Sequence, residues 1–376
     1  MHVHLVETHI LHSDRPFKLE SGDTLPCLDI AYETYGNLSP KGDNAILIEH
    51  ALSGDAHAAF YHAGDKKPGW WDPMIGPGKA FDTNKYFVIC TNVLGGCKGT
   101  TGPASLNPAT GIPYGLAFPP ISIRDMVDVQ RTLLTQLGID KLQTIAGGSM
   151  GGMQTLQFFC DYSRMAASFI CIASALKHSA QQIAFHEVGR RAIMADPRWN
   201  EGRYYNDIPP EAGLSVARMI GHITYLSEKL MQEKFGRARK TRHAPNIFRP
   251  SFEIEHYLDY QGIAFVRRFD ANSYLYITNA IDNFDLITSV SGTGRTRGEG
   301  RARGEIEEMR SKKGLVITFT SDWLYPPSQG REIVKFFSAL NVRTSYTEIA
   351  SEHGHDSFLT NTSTQSELIK GFLDSL

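Results

Sequence analysis

Nine residues, TIAGGSMGG at 144–152, constrain this chain more than any other segment. An apolar run enters Gly147-x-Ser149-x-Gly151, and a helix-forming run at 151–160 leaves it. Small residues around the serine permit a sharp turn that lifts its hydroxyl above the carboxyl edge of a sheet. The helix that follows aims its N-terminus at the same place, where backbone N–H groups stabilise negative charge. A phosphate-binding loop would need the lysine of GxxxxGK[ST], and none follows here. A purely structural glycine turn is the remaining alternative. With strand, turn and helix all in order, the segment marks Ser149 as a nucleophile.

The rest of the chain fits that beginning. AILIEH at 45–50, YFVIC at 86–90, ASFICIA at 167–173 and LVITFT at 315–320 read as strands buried on both faces, and TSYTEI at 344–349 as a more polar one. Helix-like stretches lie between them, as at 123–137. Strands alternating with helices imply an α/β fold, a mostly parallel sheet covered on both faces. The alternation breaks after Ala173. From about Lys177 to Gly300 the text is helix-like and polar-aromatic, so residues 1–176 and 301–376 are expected to form the core, with 177–300 an inserted helical lid. Two basic stretches lie there. KFGRARKTRH at 234–243 is either a solvated helix end or a contact for the phosphates of a nucleotide-bearing cosubstrate. GTGRTRGEGRARG at 292–304 reads as a surface loop.

Composition excludes several classes. Lys and Arg total 38 against 40 for Asp and Glu, which lacks the basic excess of a nucleic-acid binder. No apolar run reaches the ~18–20 residues that span a bilayer. The first residues lack the basic-then-apolar pattern of a secretory signal. Five cysteines without CxxC spacing suit a reducing cytoplasm better than a disulfide scaffold.

A serine nucleophile needs a base, and the base needs an orienting acid. On α/β-hydrolase sheets they follow in the order Ser, Asp or Glu, His. Of 14 histidines, that order leaves His353 and His355, in SEHGHDSF, and spacing does not choose between them. A His-x-His metal pair finds no completing cluster elsewhere in the sequence. Asp322 follows LVITFT at the carboxyl end, with Pro326 and Pro327 stopping the strand; a helix N-cap is its other reading. Oxyanion donors are expected from the N–H of Met150 and, in the loop after AILIEH, of Leu52. His50 and His57 flank that loop in structural or pocket-lining roles.

These residues resemble the homoserine O-acyltransferases of methionine biosynthesis, of the α/β-hydrolase superfamily. The resemblance runs through HALSGDAH at 50–57, KPGWWDPMIGPGKAFDTNKYFV at 67–88, NVLGGCKGTTGPASLNPATG at 92–111 and GGSMGGMQTLQ at 147–157. It continues in ADPRWNEGRYY at 195–205, GLSVARMIGHITYLS at 213–227, RFDANSYLYITNAIDNFD at 268–285, SDWLYPP at 321–327 and GHDSF at 354–358. It implies Ser149 as nucleophile, Asp322 as acid and His355 as base. It implies Arg218 and Asp356 as clamps for the amino acid's carboxylate and ammonium, with Tyr225 lining the pocket two helical turns beyond Arg218. The implied reaction is ping-pong acyl transfer from an acyl-CoA cosubstrate to homoserine, with no metal or other cofactor. Dimerisation through the inserted helices is implied as well.

Succinyl-using relatives tend to carry arginine two residues after the acid. Leu324 stands there and offers no counter-charge to a succinyl carboxylate, so the resemblance favours acetyl-CoA. Ser357 stands where alanine is usual. The rival readings are a homoserine O-succinyltransferase, a transferase for another alcohol, and a serine hydrolase on the same fold. A non-catalytic binding module is set against the intact Ser149, Asp322 and His355.

Overall fold

The computed structural model describes residues 4–240, 250–290 and 299–376. Eight strands form the main sheet: β1 His9–Ser13, β2 Leu28–Tyr35, β3 Ala45–Glu49, β4 Phe87–Thr91, β5 Leu142–Gly148, β6 Ser168–Ile172, β7 Lys313–Phe319 and β8 Arg343–Ile349. Their spatial order is β1-β2-β4-β3-β5-β6-β7-β8. β2 runs antiparallel to both β1 and β4, and every other pairing is parallel. The mostly parallel sheet expected from the sequence is therefore present. The antiparallel pair at its β1 edge was not among the strands read from the sequence.

Period-two geometry explains why the central strands read as unbroken apolar runs, since alternate side chains serve opposite faces. In β3, Ala45 and Leu47 enter one core while Ile46 and Ile48 enter the other; in β6, Phe169 and Cys171 oppose Ile170 and Ile172 in the same way. Helices α1 Ile123–Gln136, α2 Met150–Asp161 and, later in the chain, α10 Pro327–Ala339 supply the first core with Met126, Leu133, Met153, Phe159, Ile333 and Phe337. The short helix α11, Ser357–Thr360, and the terminal helix α12, Thr362–Asp374, supply the second with Phe358, Ile369 and Phe372. β8, a polar edge strand, leaves Arg343 exposed and buries Ile349.

Between β6 and β7 the chain runs through α3 Ala180–Ala195, α4 Glu211–Tyr225, α5 Glu228–Lys234, α6 Glu253–Val266, α7 Ala271–Asp282, α8 Leu286–Val290 and α9 Glu299–Met309. A third core of Ile193, Tyr204, Leu214, Ala217, Phe265, Ala271, Tyr274 and Leu275 belongs wholly to this stretch. Ser179 starts α3 with a capping box completed by Gln182. The basic stretch at 234–243 begins as the end of α5, and its last three residues lie outside the described residues, as do 292–298 of the glycine- and arginine-rich segment. From Glu299 onward that segment is helical, which corrects the expectation of a loop through 304. Ile306 and Met309, one helical turn apart, dock on the first core, and that packing outweighs the helix-breaking glycines.

Candidate active site

All the sequence-expected site loops emerge at the carboxyl ends of strands: Leu52 after β3, Ser149 after β5, Asp322 after β7 and His355 after β8. This is the edge where open α/β sheets bind ligands. Ser149 sits at φ 59° and ψ −124°, a strained conformation for a residue with a side chain. Its flanking glycines make the turn possible. A Cβ on Gly151 would lie 2.1 Å from the Glu49 carbonyl oxygen, and one on Gly147 would lie 2.5 Å from the Gly151 backbone. The strained residue is pinned by its own N–H, which donates to Ile172 O (3.0 Å), and by the Ser174 hydroxyl, which donates to its carbonyl (2.8 Å).

His355 Nε2 lies 2.9 Å from Ser149 Oγ, and His355 Nδ1 lies 2.8 Å from Asp322 Oδ2. Because a carboxylate only accepts, Nδ1 carries the proton and Nε2 is left to receive the serine's. The other carboxylate oxygen, Oδ1, accepts from the backbone N–H of Leu324 (3.0 Å) and Tyr325 (2.8 Å). Asp322 and His355 are buried. His353 is exposed and bonded to Thr360 Oγ1 at 2.8 Å, so geometry separates the two histidines that spacing left level.

Met150 is the first residue of α2, so its N–H has no intrahelical acceptor. Leu52 faces it across a narrow cavity of about 40 Å³ that also meets Ser149, Phe185, Ile220, Tyr225, Leu324 and Tyr325. A single water needs ~10–15 Å³ measured this way, so the space is scaled to a short acyl group. A larger groove of about 670 Å³, between Ile112–Ala117 and Trp199–Asn206, contains none of these residues. His50 is core structure. Its Nδ1 donates to Ala51 O (2.8 Å), and its Nε2 accepts from Val93 N (3.1 Å). His57 turns away to Glu33, at 3.0 Å.

Arg218, on α4, donates to Ser53 Oγ (3.2 Å), beside Leu52, and lies over the rings of Phe265 (4.7 Å) and Tyr225 (5.5 Å). Its Nε is buried without a partner, and it forms no ion pair among the described residues. Asp356 is half-buried; burial raises its carboxyl, against the opposing pull of His355 and Arg218. Tyr225 touches the His355 ring, centroids 5.9 Å apart. Sequence reasoning passed over Arg268, although it lies in a quoted motif. Its Nη1 donates to Ser53 O (2.8 Å) and its guanidinium covers Phe265 at 5.2 Å. Burial and then the charge of Arg218 lower its pKa. Two neighbouring cations that form no ion pair among the described residues make this corner receptive to an anion.

Two histidine–carboxylate groups outside the triad have metal-like spacing, Glu33/His57/His62 and His178/His186/Asp282. Their acceptors are already engaged: Glu33 by Thr8, Tyr35, His57 and His62, and Asp282 by His178, His186 and Arg190. Burial alone would raise both carboxyls, yet these donors hold them below the usual range. Both groups fit hydrogen-bonded ion clusters.

A strained serine above the carboxyl edge with a buried histidine–aspartate pair behind it defines an α/β hydrolase. The family model described as the alpha/beta hydrolase fold matches residues 44–362. Over 369 residues the chain is 53% identical to the homoserine O-acetyltransferase of Methanohalobium evestigatum, covering 98% of this chain and 73% of that protein. Among solved structures, the homoserine O-acetyltransferase from Bacillus anthracis is similar at a TM-score of 0.87 and 27% identity, over 98% of both chains. Esterase E22 is similar at 0.86 and 30%, over 98% of this chain and all of that one. The chain belongs to the homoserine O-acetyltransferase family.

Proposed function

We propose that this protein transfers the acetyl group of acetyl-CoA to the hydroxyl of L-homoserine, giving O-acetyl-L-homoserine, by a ping-pong route through acetyl-Ser149. Ser149 Oγ attacks the thioester carbonyl as its proton passes to His355 Nε2, and Asp322 steadies the imidazolium. The N–H groups of Leu52 and Met150 hold the oxyanion. The C–S bond then breaks, and the CoA sulfur leaves with the proton from His355. Homoserine enters, gives its hydroxyl proton to His355 and attacks the acyl carbonyl. Ser149 departs and recovers that proton.

The observation that carries transfer over hydrolysis is Arg218, a cation held on Ser53 and over the Tyr225 ring with no ion pair among the described residues. Water has no use for it, whereas an amino acid's carboxylate does. Asp356 takes the ammonium, and Tyr225, whose ring Arg218 overlies, lines the cavity at Ser149. The apolar Leu324 and the small cavity favour acetyl over succinyl. Residues 177–300 serve as a lid that limits water at the acyl-enzyme. A second copy of the chain covers the exposed apolar residues of that lid, Val216 and Ile223 on α4 and Tyr260 and Ile263 on α6. Five free thiols suit a reducing cytoplasm, and no helix among the described residues is long and apolar enough to cross a membrane.

The test mixes the protein with acetyl-CoA or succinyl-CoA, without acceptor, and follows intact mass and CoA release. A stoichiometric acetyl adduct on Ser149 that homoserine discharges is the expected result. Steady CoA release without acceptor would mean a hydrolase, and a succinyl adduct formed in preference would mean the succinyl branch.

A further inference from the structure

The Asp282 carboxylate at the end of α7 is nearly buried, with 8% of the side chain exposed. Oδ1 accepts from His178 Nδ1 (2.9 Å) and His186 Nδ1 (2.8 Å), and Oδ2 from Arg190 Nη1 (2.6 Å). His178 is itself buried and directs its other nitrogen, Nε2, at the Tyr325 hydroxyl, 2.6 Å away. With Nδ1–H given to a carboxylate, Nε2 is an acceptor and the phenol donates to it. The chain Asp282–His178–Tyr325 thus has one direction, and it ends at the active site. Tyr325 stands three residues after Asp322, gives its N–H to that carboxylate and lines the same cavity as Ser149. Its ring stacks on the His355 imidazole, with centroids 4.9 Å apart and planes at 29°.

The hydrogen bonds of His355 fall on opposite nitrogens. They fix the line through the ring but leave it free to roll about that line, and each roll bends both bonds away from their acceptors. The Cβ–Cγ bond restrains this motion only softly, because χ2 of histidine is a broad torsion, so a surface pressed against the ring face limits what remains. Phe358 and Tyr225 also touch the imidazole, but at 5.3 Å and 56° and at 5.9 Å and 41°, so Tyr325 is the nearest and most nearly parallel. A flat ring can itself slide unless its far end is tied, and His178 ties it.

We propose that Tyr325 is a positioning residue for acyl transfer: Asp282, at the end of α7, and His178, in the loop before α3, anchor its hydroxyl so that its ring holds His355 in the plane joining Asp322 to Ser149. The proposal rests on the reading of Ser149 and His355 as nucleophile and base. It assigns to the inserted helices a hold on the base as well as a cover over the pocket. Productive alignment is lost within ~10–20° of rotation, so a loosened clamp slows the chemistry without weakening substrate binding.

The experiment uses Tyr325→Phe, which keeps the ring and removes one oxygen, His178→Gln, and the double variant. Single-turnover acylation of Ser149 is followed by p-nitrophenol release from p-nitrophenyl acetate and by CoA release from acetyl-CoA, with thermal midpoints as a check on folding. Each single variant is expected to acylate about tenfold more slowly than the parent, with KM for the acyl donor unchanged. Because the two residues act in series, the double variant is expected to be no slower than the slower single one. The proposal is overturned if Tyr325→Phe acylates at the parent rate, if KM rises in place of a fall in rate, or if the two losses multiply. Since p-nitrophenyl acetate loads Ser149 whether homoserine or water is the natural acceptor, a mistaken acceptor would leave this test standing.

Discussion

Replacing Asp322 by asparagine exchanges one oxygen for an NH2 group and should all but stop acylation, for a reason written in the backbone around it. The two carboxylate oxygens have different tasks: Oδ2 accepts from His355 Nδ1, while Oδ1 accepts from the N–H groups of Leu324 and Tyr325. An asparagine must point its single oxygen at one set of donors. Facing it toward His355 would press an NH2 group against two N–H groups in a buried turn, with two hydrogen bonds lost and a clash of donors added. The oxygen therefore turns to the backbone, and the NH2 group faces Nδ1. His355 must then accept at Nδ1 and carry its proton on Nε2, where it can no longer receive the proton of Ser149. Enforcing the wrong tautomer in a serine triad lowers turnover by ~10⁴, equivalent to about 5 kcal/mol of barrier at 1.36 kcal/mol per decade. Stopped-flow CoA release from acetyl-CoA, beside circular dichroism and a thermal midpoint to establish folding, measures it. A folded Asp322→Asn protein that acylates within tenfold of the parent would refute the reasoning, because the amides of Leu324 and Tyr325 would not then dictate the tautomer.

Arg218→Ala should spare adduct formation and raise the homoserine requirement by ~10–150-fold, the worth of a charge-assisted hydrogen bond; equal loss in both half-reactions would refute the role, as measured by burst and discharge rates. Leu324→Arg should move the ratio of kcat/KM for succinyl-CoA over acetyl-CoA upward by at least about tenfold, since the new cation meets a carboxylate inside the cavity that Leu324 lines; an unchanged ratio counts against the acyl-pocket assignment. His222 is buried on α4, and burial and the charges of Arg218, Arg268 and Lys234 push its pKa down to about 3. The folded chain then refuses a proton that the unfolded chain takes up below about pH 6.5, so stability present at neutral pH falls by ~1.4 kcal/mol per pH unit toward pH 5. Urea midpoints across that range should slope less in His222→Asn than in the parent, and identical slopes would sink the assignment.

The sequence displayed the site more fully than the scaffold. Strands β3, β5, β6 and β7 are legible because both faces are covered, which leaves unbroken apolar text. β1 and β2 are not, since Leu28–Tyr35 mixes buried Leu28, Ile30 and Ala31 with Asp29, Glu33 and Thr34 and carries a buried carboxylate on the strand next to the sheet edge. Chain order narrowed the base to two histidines and could go no further, because His353 and His355 differ only in how Gly354 turns the backbone between them. That glycine, at φ 67°, packs so closely on the end of α4 that a Cβ would sit 2.6 Å from Ser227 N. Arg268 and Tyr325 lay inside recognised motifs without a role, since a motif names neighbours in sequence while their partners, Ser53 and His178, stand more than a hundred residues away.

That contact at Gly354 bears on how substrates enter. Gly354 N–H donates to Ser321 Oγ (2.9 Å), joining the loop of the base to the loop of the acid. Trp323 Nε1 donates to Leu226 O (3.0 Å), and the Ser227 hydroxyl donates to Glu352 O, joining both loops to the end of α4. Swinging α4 outward at this end would break those bonds, at ~1 kcal/mol each, and would withdraw support from the residues that orient His355. An opening motion there would disable the enzyme each time it admitted a substrate. Access is therefore expected at the other side of the inserted helices, toward Arg218, Arg268 and Ser53, where two cations with no ion pair among the described residues would attract an anion while the base stays clamped. A disulfide or other cross-link tying residue 226 to residue 323 should then leave turnover at the parent level, whereas a large loss would mean that the end of α4 is the gate.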